Sequence, residues 1–412
     1  MTAQGIAPQV DPVDVGLDAD RLAAISAHFD GHVAAGRLPG WLCVVGRGGA
    51  AAWVGHGGHR DVARAAPVTP SSIWRIYSMT KPITAVAALQ LFEQGRFDLD
   101  DELARYLPEF AAPRVYVDGP PEDPTTRPAT GPIRIWHLLT HTAGFAYGSQ
   151  RRTVVDKIYR LHGYDWGAQH DKDLAAASRE FATMPLVFDP GSAFNYSIAT
   201  DVLGRLIEVL SGTTLDDYLA ANVLAPLGMH ETGFSCPPSD LDRLAELYLA
   251  TREGGFTAAG WLGEEAKVPP TLLSGGAGLV GTAHDYHRFA TMLASGGALD
   301  GVRVAARSSI ELMGTNFLPG GSDLASFAVD DYADVTSEGL GIGLGVATVI
   351  DRARLRLPVS EGSIMWGGAA STTFWADAKE ALTCTFFTQL LPSKTYALRR
   401  ELQRLVYPAI VA

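Results

Sequence analysis

The stretch IYSMTKPITAVAAL, residues 76–89, places one lysine inside a segment that is otherwise suited to burial. Ser78 and Lys81 are three positions apart, so on a helix their side chains would share one face. A buried ammonium group is costly unless it is paired or deprotonated. We therefore expect either that the Lys81 side chain reaches solvent or that the fold holds it against the Ser78 hydroxyl.

The surroundings of this pair favour a helix that begins at the serine. The apolar spacing predicts a helix from Ser78 to Gln94, and Gly95 is a typical C-terminal stop. A serine hydroxyl is a weak nucleophile until a base takes its proton, and a desolvated lysine can be that base. Backbone N–H groups at the helix start would stabilise a developing oxyanion. The Ser-x-x-Lys pattern alone is weak, because such pairs also arise by chance.

Strand patterns occur near both ends of the chain, and helices and loops fill its middle. This order predicts an α/β or α+β fold with an antiparallel sheet flanked by helices and an inserted, mostly helical subdomain. We expect residues 1–95 and 271–412 to form the sheet domain and residues 96–270 to complete the active-site cleft. The expected elements are a helix over 19–35, a hairpin of 41–47 and 50–56, an extended segment at 72–77, helical residues 200–222, strands within 339–350, 372–377 and 381–390, and a final helix over 393–406.

Composition excludes several classes of function. Apolar residues make up 47% of the 412-residue chain and the formal net charge is −12, which is typical of a core-rich protein without affinity for nucleic acid or an anionic membrane. Three dispersed cysteines argue against a disulfide framework or a structural zinc site. The N-terminus lacks the features of a signal peptide, so a cytoplasmic location is expected. No cofactor and no metal site are predicted.

Five ordered segments resemble serine β-lactamase-like hydrolases, specifically the family VIII carboxylesterases that are related to class C β-lactamases. The resemblance covers most of residues 70–390 and implies the serine β-lactamase/DD-peptidase-like fold. The segments are YSMTKPITAVAALQLFEQGRFDLDDELARYLPEF (77–110), IRIWHLLTHTAGF (133–145), PGSAFNYSIATDVLGRLIEVLSGTTLDDYLAANVLAPLGMHETGF (190–234), SGGAGLVGTAHDYHRFATML (274–293) and MWGGAASTTFWAD (365–377).

The resemblance implies a role for each matching residue. Ser78 is the expected nucleophile, Lys81 its partner and Tyr196 the catalytic tyrosine. The N–H groups of Ser78 and Ala369 are the expected oxyanion donors. A tyrosine phenol ordinarily titrates near 10, and an adjacent lysine charge would favour the phenolate, so Tyr196 could serve as the general base in acylation and then activate water for deacylation. Lys81 and Tyr196 form one coupled acid–base unit, and the proton is assigned to neither. The alternative for Tyr196 is a buried core tyrosine with a bonded hydroxyl.

Two motifs depart from the pattern of the penicillin-recognising members. Ile198 occupies the third place of the usual Tyr-x-Asn, and Trp366-Gly367-Gly368 replaces Lys-Thr-Gly. An indole in place of a cation favours neutral esters over anionic lactams, and we expect these residues to contact the substrate. The alternative for Trp366 is an edge-strand aromatic without substrate contact. Tyr147, in a charged and aromatic segment over 146–182, is a further candidate for the pocket, although core or lid packing explains it equally well.

Two histidine pairs have the i, i+4 spacing of zinc ligands. His137 and His141 lie in HLLTH, which lacks the glutamate of H-E-x-x-H, and the resemblance makes this block structural. His28 and His32 share the spacing on the first predicted helix and are interpreted as surface residues. The sequence contains no G-x-S-x-G, which argues against an α/β-hydrolase nucleophile elbow.

The leading hypothesis is a serine hydrolase that cleaves small or medium carboxylic esters through an acyl-enzyme on Ser78. Hydrolysis of β-lactams or amides and transfer of the acyl group to an alcohol remain alternatives within the same superfamily. A ligand-binding or sensor homologue without turnover is the alternative from a different class. A small-molecule ester is the expected partner, and the sequence makes no prediction about oligomeric state.

Overall fold

An eight-stranded antiparallel sheet forms the centre of the molecule. The structure is a computed structural model that describes residues 5–166, 171–328 and 338–411. The strand order in this sheet is β12-β13-β14-β15-β16-β1-β2-β3. The strands are β1 Gly40–Arg47, β2 Ala50–Asp61, β3 Ala66–Pro67, β4 Ile73–Arg75, β5 Arg114–Asp118, β6 Thr125–Pro128, β7 Tyr248–Ala250, β8 Phe256–Ala258, β9 Val280–Thr282, β10 Ala298–Leu299, β11 Val302–Arg303, β12 Leu340–Ile342, β13 Ala347–Val349, β14 Ile364–Gly367, β15 Thr373–Asp377, β16 Leu382–Phe387 and β17 Leu390–Leu391.

Helices cover the sheet and fill the region between its first and last strands. This combination confirms the predicted class, an antiparallel sheet with helices of the β-lactamase/DD-peptidase-like type. The α-helices are α1 Ala19–Ala34, α2 Thr80–Glu93, α3 Ile135–Leu139, α4 Val154–Leu161, α5 Leu174–Phe181, α6 Ala199–Ser211, α7 Leu215–Leu219, α8 Ala283–Ala294, α9 Arg307–Met313, α10 Leu324–Phe327, α11 Arg352–Leu355 and α12 Leu398–Val406.

The sheet joins the two ends of the chain. Strands β1 and β2 form the hairpin that the sequence predicts, and both glycines of its turn, Gly48 and Gly49, have the positive φ that a two-residue turn requires. Strand β16 pairs with β1 on the other side, with Val44 opposite Thr385. The hairpin of β1 and β2 thus pairs with a strand that comes more than 300 residues later in the sequence. The chain between them must therefore return to the hairpin.

The two faces of the sheet carry different helices. On one face, the Phe29 ring of α1 lies 4.6 Å from the ring of Phe386. On the other face, the Tyr286 ring of α8 lies 5.1 Å from the ring of Phe374, which pairs with Thr385 and therefore points away from Phe386. The sheet is consequently the middle of three layers and is buried on both sides.

Helix α2 is buried around most of its circumference. Residues 80–91, including Lys81, are all buried. A helix that is apolar on every side belongs in the interior of a protein and has no solvent face. Of the two alternatives for Lys81, solvent contact is therefore excluded, and the ammonium group must find its partners inside the fold.

Several local predictions differ from the structure. The extended segment before Ser78 contains β4, which pairs with β9 and not with the central sheet. The sequence predicts helices and loops in the middle of the chain, but the proline- and glycine-rich residues 117–132 take part in a hairpin of β5 and β6. Gly212, with φ +74°, ends α6 and interrupts the predicted helical region 200–222. The final helix begins at Leu398, five residues later than its predicted start.

Two further findings concern cysteines and membrane spans. Sγ of Cys43 and Sγ of Cys384 lie 3.7 Å apart on the neighbouring strands β1 and β16, although the residues are remote in sequence; both are buried free thiols. Among the described residues, no helix combines the length and apolar character that are needed to cross a membrane.

Candidate active site

Ser78 lies at the entrance to helix α2, in a 3-10 turn over Tyr77–Met79. Tyr77 adopts φ +44°, a left-handed conformation that is costly for a residue with a large side chain. The turn redirects the chain from β4 into α2 and leaves Ser78 partly exposed on the wall of a cavity of about 510 Å³. The strained residue therefore directly precedes the predicted nucleophile.

Lys81 is directed at the serine. Its side chain is 1% exposed, and Nζ lies 3.4 Å from Oγ of Ser78. Burial lowers the pKa of Lys81 to about 7, against the opposing effect of the Asp201 carboxylate. A lysine in this environment is substantially neutral at physiological pH and can accept a proton.

The Lys81 amino group also donates hydrogen bonds to two other oxygen atoms. Nζ donates to the carbonyl oxygen of Gly276 at 2.7 Å and to the hydroxyl of Tyr147 at 3.2 Å. The structure thus brings Tyr147 to the reacting centre and not merely to the pocket wall. Gly276 comes from the loop before β9, a region that sequence reasoning did not connect with the lysine.

Tyr196 lies beside both predicted catalytic groups. Its ring centroid is 4.6 Å from Nζ of Lys81, and its hydroxyl oxygen is hydrogen-bonded by the Ser78 hydroxyl and the Trp366 indole. Burial raises the pKa of Tyr196 above its usual value, and these hydrogen bonds only partly oppose the increase. The free site therefore favours a neutral phenol, and the expectation that the lysine charge favours a phenolate does not describe the resting site.

Asp201 is the buried acid that the sequence analysis missed. It lies in the first turn of α6, is 5% exposed, and accepts hydrogen bonds from the Ser274 hydroxyl at 2.5 Å and the Gly276 N–H at 3.0 Å. Burial raises the pKa of Asp201 and the Lys81 charge opposes that increase. The peptide groups of Gly276 therefore connect the two ionisable side chains, since its N–H faces Asp201 and its carbonyl faces Lys81.

A signal for Asp201 exists in the sequence. The residue follows Tyr196 by five positions, in the first helical turn of an otherwise apolar segment. An acid at the start of a helix usually serves the helix dipole, so this position alone does not indicate a catalytic environment. The contacts of Asp201 with Ser274 and Gly276, in a loop that is distant in sequence, distinguish a group near the lysine from an acid that serves only the helix dipole.

Trp366 lies one layer behind the cavity rather than in its wall. Its indole is 5% exposed, lies 5.7 Å from the Tyr196 ring and stacks at 6.5 Å on the ring of His141. Gly367 packs so closely on the Arg399 guanidinium that a Cβ would overlap it. A Cβ on Gly368 would come within 2.4 Å of the Ile76 carbonyl oxygen. Trp366, Gly367 and Gly368 were expected to contact the substrate, but none of them lines the cavity. Their close packing instead lets the end of β14 lie against the turn that carries Ser78.

Other predicted residues do line the cavity. Tyr147, Ile198 and Ala369 belong to its wall, together with Ser78 and Tyr196. Ile198 offers an apolar side chain where penicillin-recognising relatives have an amide. The outer part of the wall is aromatic and mixed in charge, and comprises Tyr164, Trp166, Phe181, Phe234, Leu262, Leu272, Arg151, Arg152, Asp165, Glu265 and Lys394.

The histidines of HLLTH hold backbone groups in place. Nδ1 of His137 accepts a hydrogen bond from the Arg134 N–H at 3.0 Å, and Nδ1 of His141 accepts one from the Ser197 N–H at 3.3 Å. Burial lowers the pKa of His137 to about 4 and that of His141 well below its usual value, so both rings are neutral at pH 7. The contact with Ser197 ties His141 to the chain segment that carries Tyr196.

Comparison with known proteins places this geometry in a family. The family model described as Beta-lactamase matches residues 25–407. The chain is 32% identical over 405 residues to esterase EstB of Burkholderia gladioli, covering 93% of this chain and 94% of that protein. It is 29% identical over 346 residues to acyltransferase calJ of Penicillium decumbens, covering 80% and 78%. The solved structure of EstCE1, a hydrolase with promiscuous acyltransferase activity, superposes with a TM-score of 0.79 at 26% identity, covering 96% of this chain and 99% of that one. The chain therefore belongs to the beta-lactamase family.

Proposed function

We propose that the protein hydrolyses small or medium carboxylic esters through an acyl-enzyme on Ser78. The observation that carries the proposal is a buried lysine with a pKa of about 7, whose Nζ lies 3.4 Å from the Ser78 hydroxyl oxygen. The similarity to EstB, an esterase, over nearly the whole chain supports an ester as the substrate.

In the acylation half, the Ser78 hydroxyl turns from the Tyr196 oxygen towards neutral Lys81, whose Nζ lies 3.4 Å away and takes the proton as Oγ attacks the ester carbonyl. The N–H groups of Ser78 and Ala369 hold the oxyanion of the tetrahedral intermediate. When the C–O bond to the alcohol breaks, the Tyr196 hydroxyl protonates the leaving alkoxide, and the Lys81 ammonium returns a proton to the phenolate. The raised pKa of Tyr196 suits this role, because a neutral phenol is a proton donor.

In the deacylation half, the same groups act in reverse on a water molecule. Lys81 and Tyr196 accept the water proton as hydroxide attacks the acyl carbonyl. Collapse of the second intermediate releases the carboxylic acid and returns the proton to Ser78. The chain thus ends each cycle in its starting protonation state.

The cavity supports neutral esters over carboxylated lactams. Ile198 provides no amide for an acyl-amide side chain, and Trp366, which lies behind the cavity wall, replaces the lysine that this strand carries in penicillin-recognising relatives. A volume of about 510 Å³ exceeds the needs of a short acyl ester and accommodates a larger acid or alcohol portion.

Initial rates on p-nitrophenyl butyrate test the proposal. We expect Ser78→Ala to retain only background turnover, whereas Ser211→Ala, which changes a surface serine at the end of α6, keeps the wild-type rate. A reactive alkyl phosphonate should modify wild type once, on the peptide that contains Ser78. Equal rates in wild type and Ser78→Ala would refute the nucleophile assignment, and a stable adduct without turnover would support a sensor.

Acyl transfer to an alcohol is a second candidate, because calJ is an acyltransferase and EstCE1 combines both activities. The chemistry differs only in the acceptor that reaches the acyl-enzyme. Addition of 1-butanol to the assay with p-nitrophenyl butyrate distinguishes the two: a transferase forms butyl butyrate in preference to butyrate. The same enzyme sample assayed with a chromogenic cephalosporin measures any lactam hydrolysis.

A further inference from the structure

A second cluster of titratable side chains joins the two terminal helices. His28 and His32 are one turn apart in α1, and Nε2 of each ring lies 3.0 Å from Oε2 of Glu401 in α12. The three potential ligand atoms all lie within 4.8 Å of one another. We propose that His28, His32 and Glu401 bind one divalent transition-metal ion of the Zn²⁺ type and thereby clamp α1 to α12.

The distances suit such an ion. Zinc takes nitrogen and oxygen ligands at about 2.0–2.2 Å, and tetrahedral angles then separate neighbouring donor atoms by roughly 3.3 Å. Each nitrogen-to-oxygen distance in this cluster is 3.0 Å. A shift of a few tenths of an ångström in the partly exposed Glu401 side chain would therefore bring both nitrogen-to-oxygen distances to this separation.

The donor set selects the class of ion. Two imidazole nitrogens and one carboxylate oxygen suit zinc and its late first-row neighbours, whereas Ca²⁺ and Mg²⁺ prefer oxygen ligands. His28 is about one-third exposed, which leaves solvent access for a water molecule in the fourth position. This arrangement corresponds to three protein ligands with one open site.

Neighbouring aromatic rings already fix the orientation of the ligands. The His32 ring lies 6.0 Å from the Phe29 ring and 5.8 Å from the Tyr396 ring. The His28 ring meets the edge of Phe29 at 5.1 Å. Little side-chain freedom therefore remains to be lost on binding, which favours affinity.

The sequence could not reveal this site because its third ligand is 369 residues from His32. His28 and His32 were interpreted as surface residues, but His32 is buried against α12. None of the three residues lines the active-site cavity. Bound metal should consequently raise thermal stability and leave ester turnover unchanged, since it links α1 and α12 on one face of the sheet.

Calorimetric titration of the full chain with ZnCl₂, after removal of metal with EDTA, tests the proposal. We expect one ion per chain and an increase in the unfolding temperature with zinc. His28→Gln and Glu401→Gln should each weaken the affinity by about tenfold or more. His284→Gln is the matched control, because His284 lies on α8, pairs with the Asp285 carboxylate at 3.1 Å and is not part of the three-ligand cluster, so the variant should bind zinc like wild type.

Two outcomes would overturn the proposal. One is the absence of saturable binding in folded wild-type protein at zinc concentrations up to about 100 μM, where even a weak site of this ligand class should fill. The other is unchanged affinity in both His28→Gln and Glu401→Gln, which would place the ion elsewhere. His28→Gln alters a partly exposed residue, so it remains informative even if Glu401→Gln destabilises the fold. Neither result depends on ester hydrolysis.

Discussion

The cavity has a floor and an outer wall that differ in their physical chemistry. The floor comprises Lys81 of α2, Tyr196 of the segment before α6 and Asp201 of the first turn of α6, which are 1–5% exposed. The outer wall includes Trp166, which is 37% exposed, and Arg151 and Asp165, which form an ion pair at the surface. Both regions carry ionisable groups, but the floor withdraws all three of its groups from water, whereas the side chains of Arg151 and Asp165 in the wall are at least one-third exposed.

The consequences for pKa differ accordingly. Burial on the floor lowers the pKa of Lys81 to about 7 and raises those of Tyr196 and Asp201. Charges on the wall remain solvated and screened, so ion pairs there contribute little to stability. The comparison indicates that the floor supplies the reaction and the wall selects the substrate. Four predictions, in order of decreasing effect, test this division.

Lys81→Met should have the largest effect. We expect kcat to fall by roughly 10²–10⁴-fold, because the variant removes the base and keeps the apolar volume of the side chain. Steady-state rates on p-nitrophenyl butyrate measure the loss, and circular dichroism confirms that α2 is intact. Wild-type kcat in a folded Lys81→Met protein would contradict a catalytic floor.

The two phenols near Lys81 should differ in importance. Tyr196→Phe removes the proton donor to the leaving alcohol, and we expect a loss in kcat of at least roughly 10²-fold. Tyr147→Phe is the matched control: it removes one hydrogen bond from Nζ, which is worth about 1 kcal/mol or roughly fivefold in rate. A larger loss in Tyr147→Phe than in Tyr196→Phe would exchange the two roles.

Asp201→Asn should change the pH dependence more than the maximal rate. Activity requires neutral Lys81, so kcat/KM should rise with pH through about 7 in wild type. The Asp201 carboxylate raises the pKa of Lys81, and its neutralisation lowers that pKa further, which shifts the rise to lower pH. Glu265→Gln, which changes a carboxylate on the outer wall, should leave the midpoint in place. A shift to higher pH in Asp201→Asn would exclude this electrostatic role.

Trp166→Ala should have the smallest effect and should act on binding. Loss of a partly exposed ring costs about 1 kcal/mol of substrate binding, or roughly a fivefold increase in KM for a long-chain ester, with kcat unchanged. The matching acetate ester, which is too short to reach the outer wall, provides the control. A fall in kcat with the acetate ester would show that the wall takes part in the chemistry.

The sequence predicts groups that are close along the chain and misses those that meet through the fold. Ser78 and Lys81 share one helical turn, so their contact follows from periodicity. Asp201 and Gly276 belong to separate segments, and neither pattern indicates that the backbone of one glycine connects an acid to the lysine. The orientation of Trp366 was equally inaccessible, because alternation along β14 fixes a face of the sheet and not the layer in which the indole lies.

Strand pairing is likewise predictable from the sequence only where the two strands are close along the chain. Local turn chemistry predicts the hairpin of β1 and β2 from Gly48 and Gly49. The pairing of β4 with β9 depends on residues about 200 positions apart, and short strands carry no signal for their partner. The 146–182 segment does form cavity wall where it is described, although residues 167–170 lie outside the described part of the chain.

The burial of helix α2 has a consequence for how the enzyme loses activity. Amide hydrogens in a helix that is covered on all sides exchange only when the whole domain opens, so α2 should belong to the last unit of structure to unfold. Ser78 and Lys81, the proposed nucleophile and base, are attached to that unit. If surface segments unfold first during heating, the Ser78 and Lys81 side chains would keep their relative positions. Inactivation should therefore coincide with global unfolding rather than precede it. Residual esterase activity would then report the fraction of folded molecules.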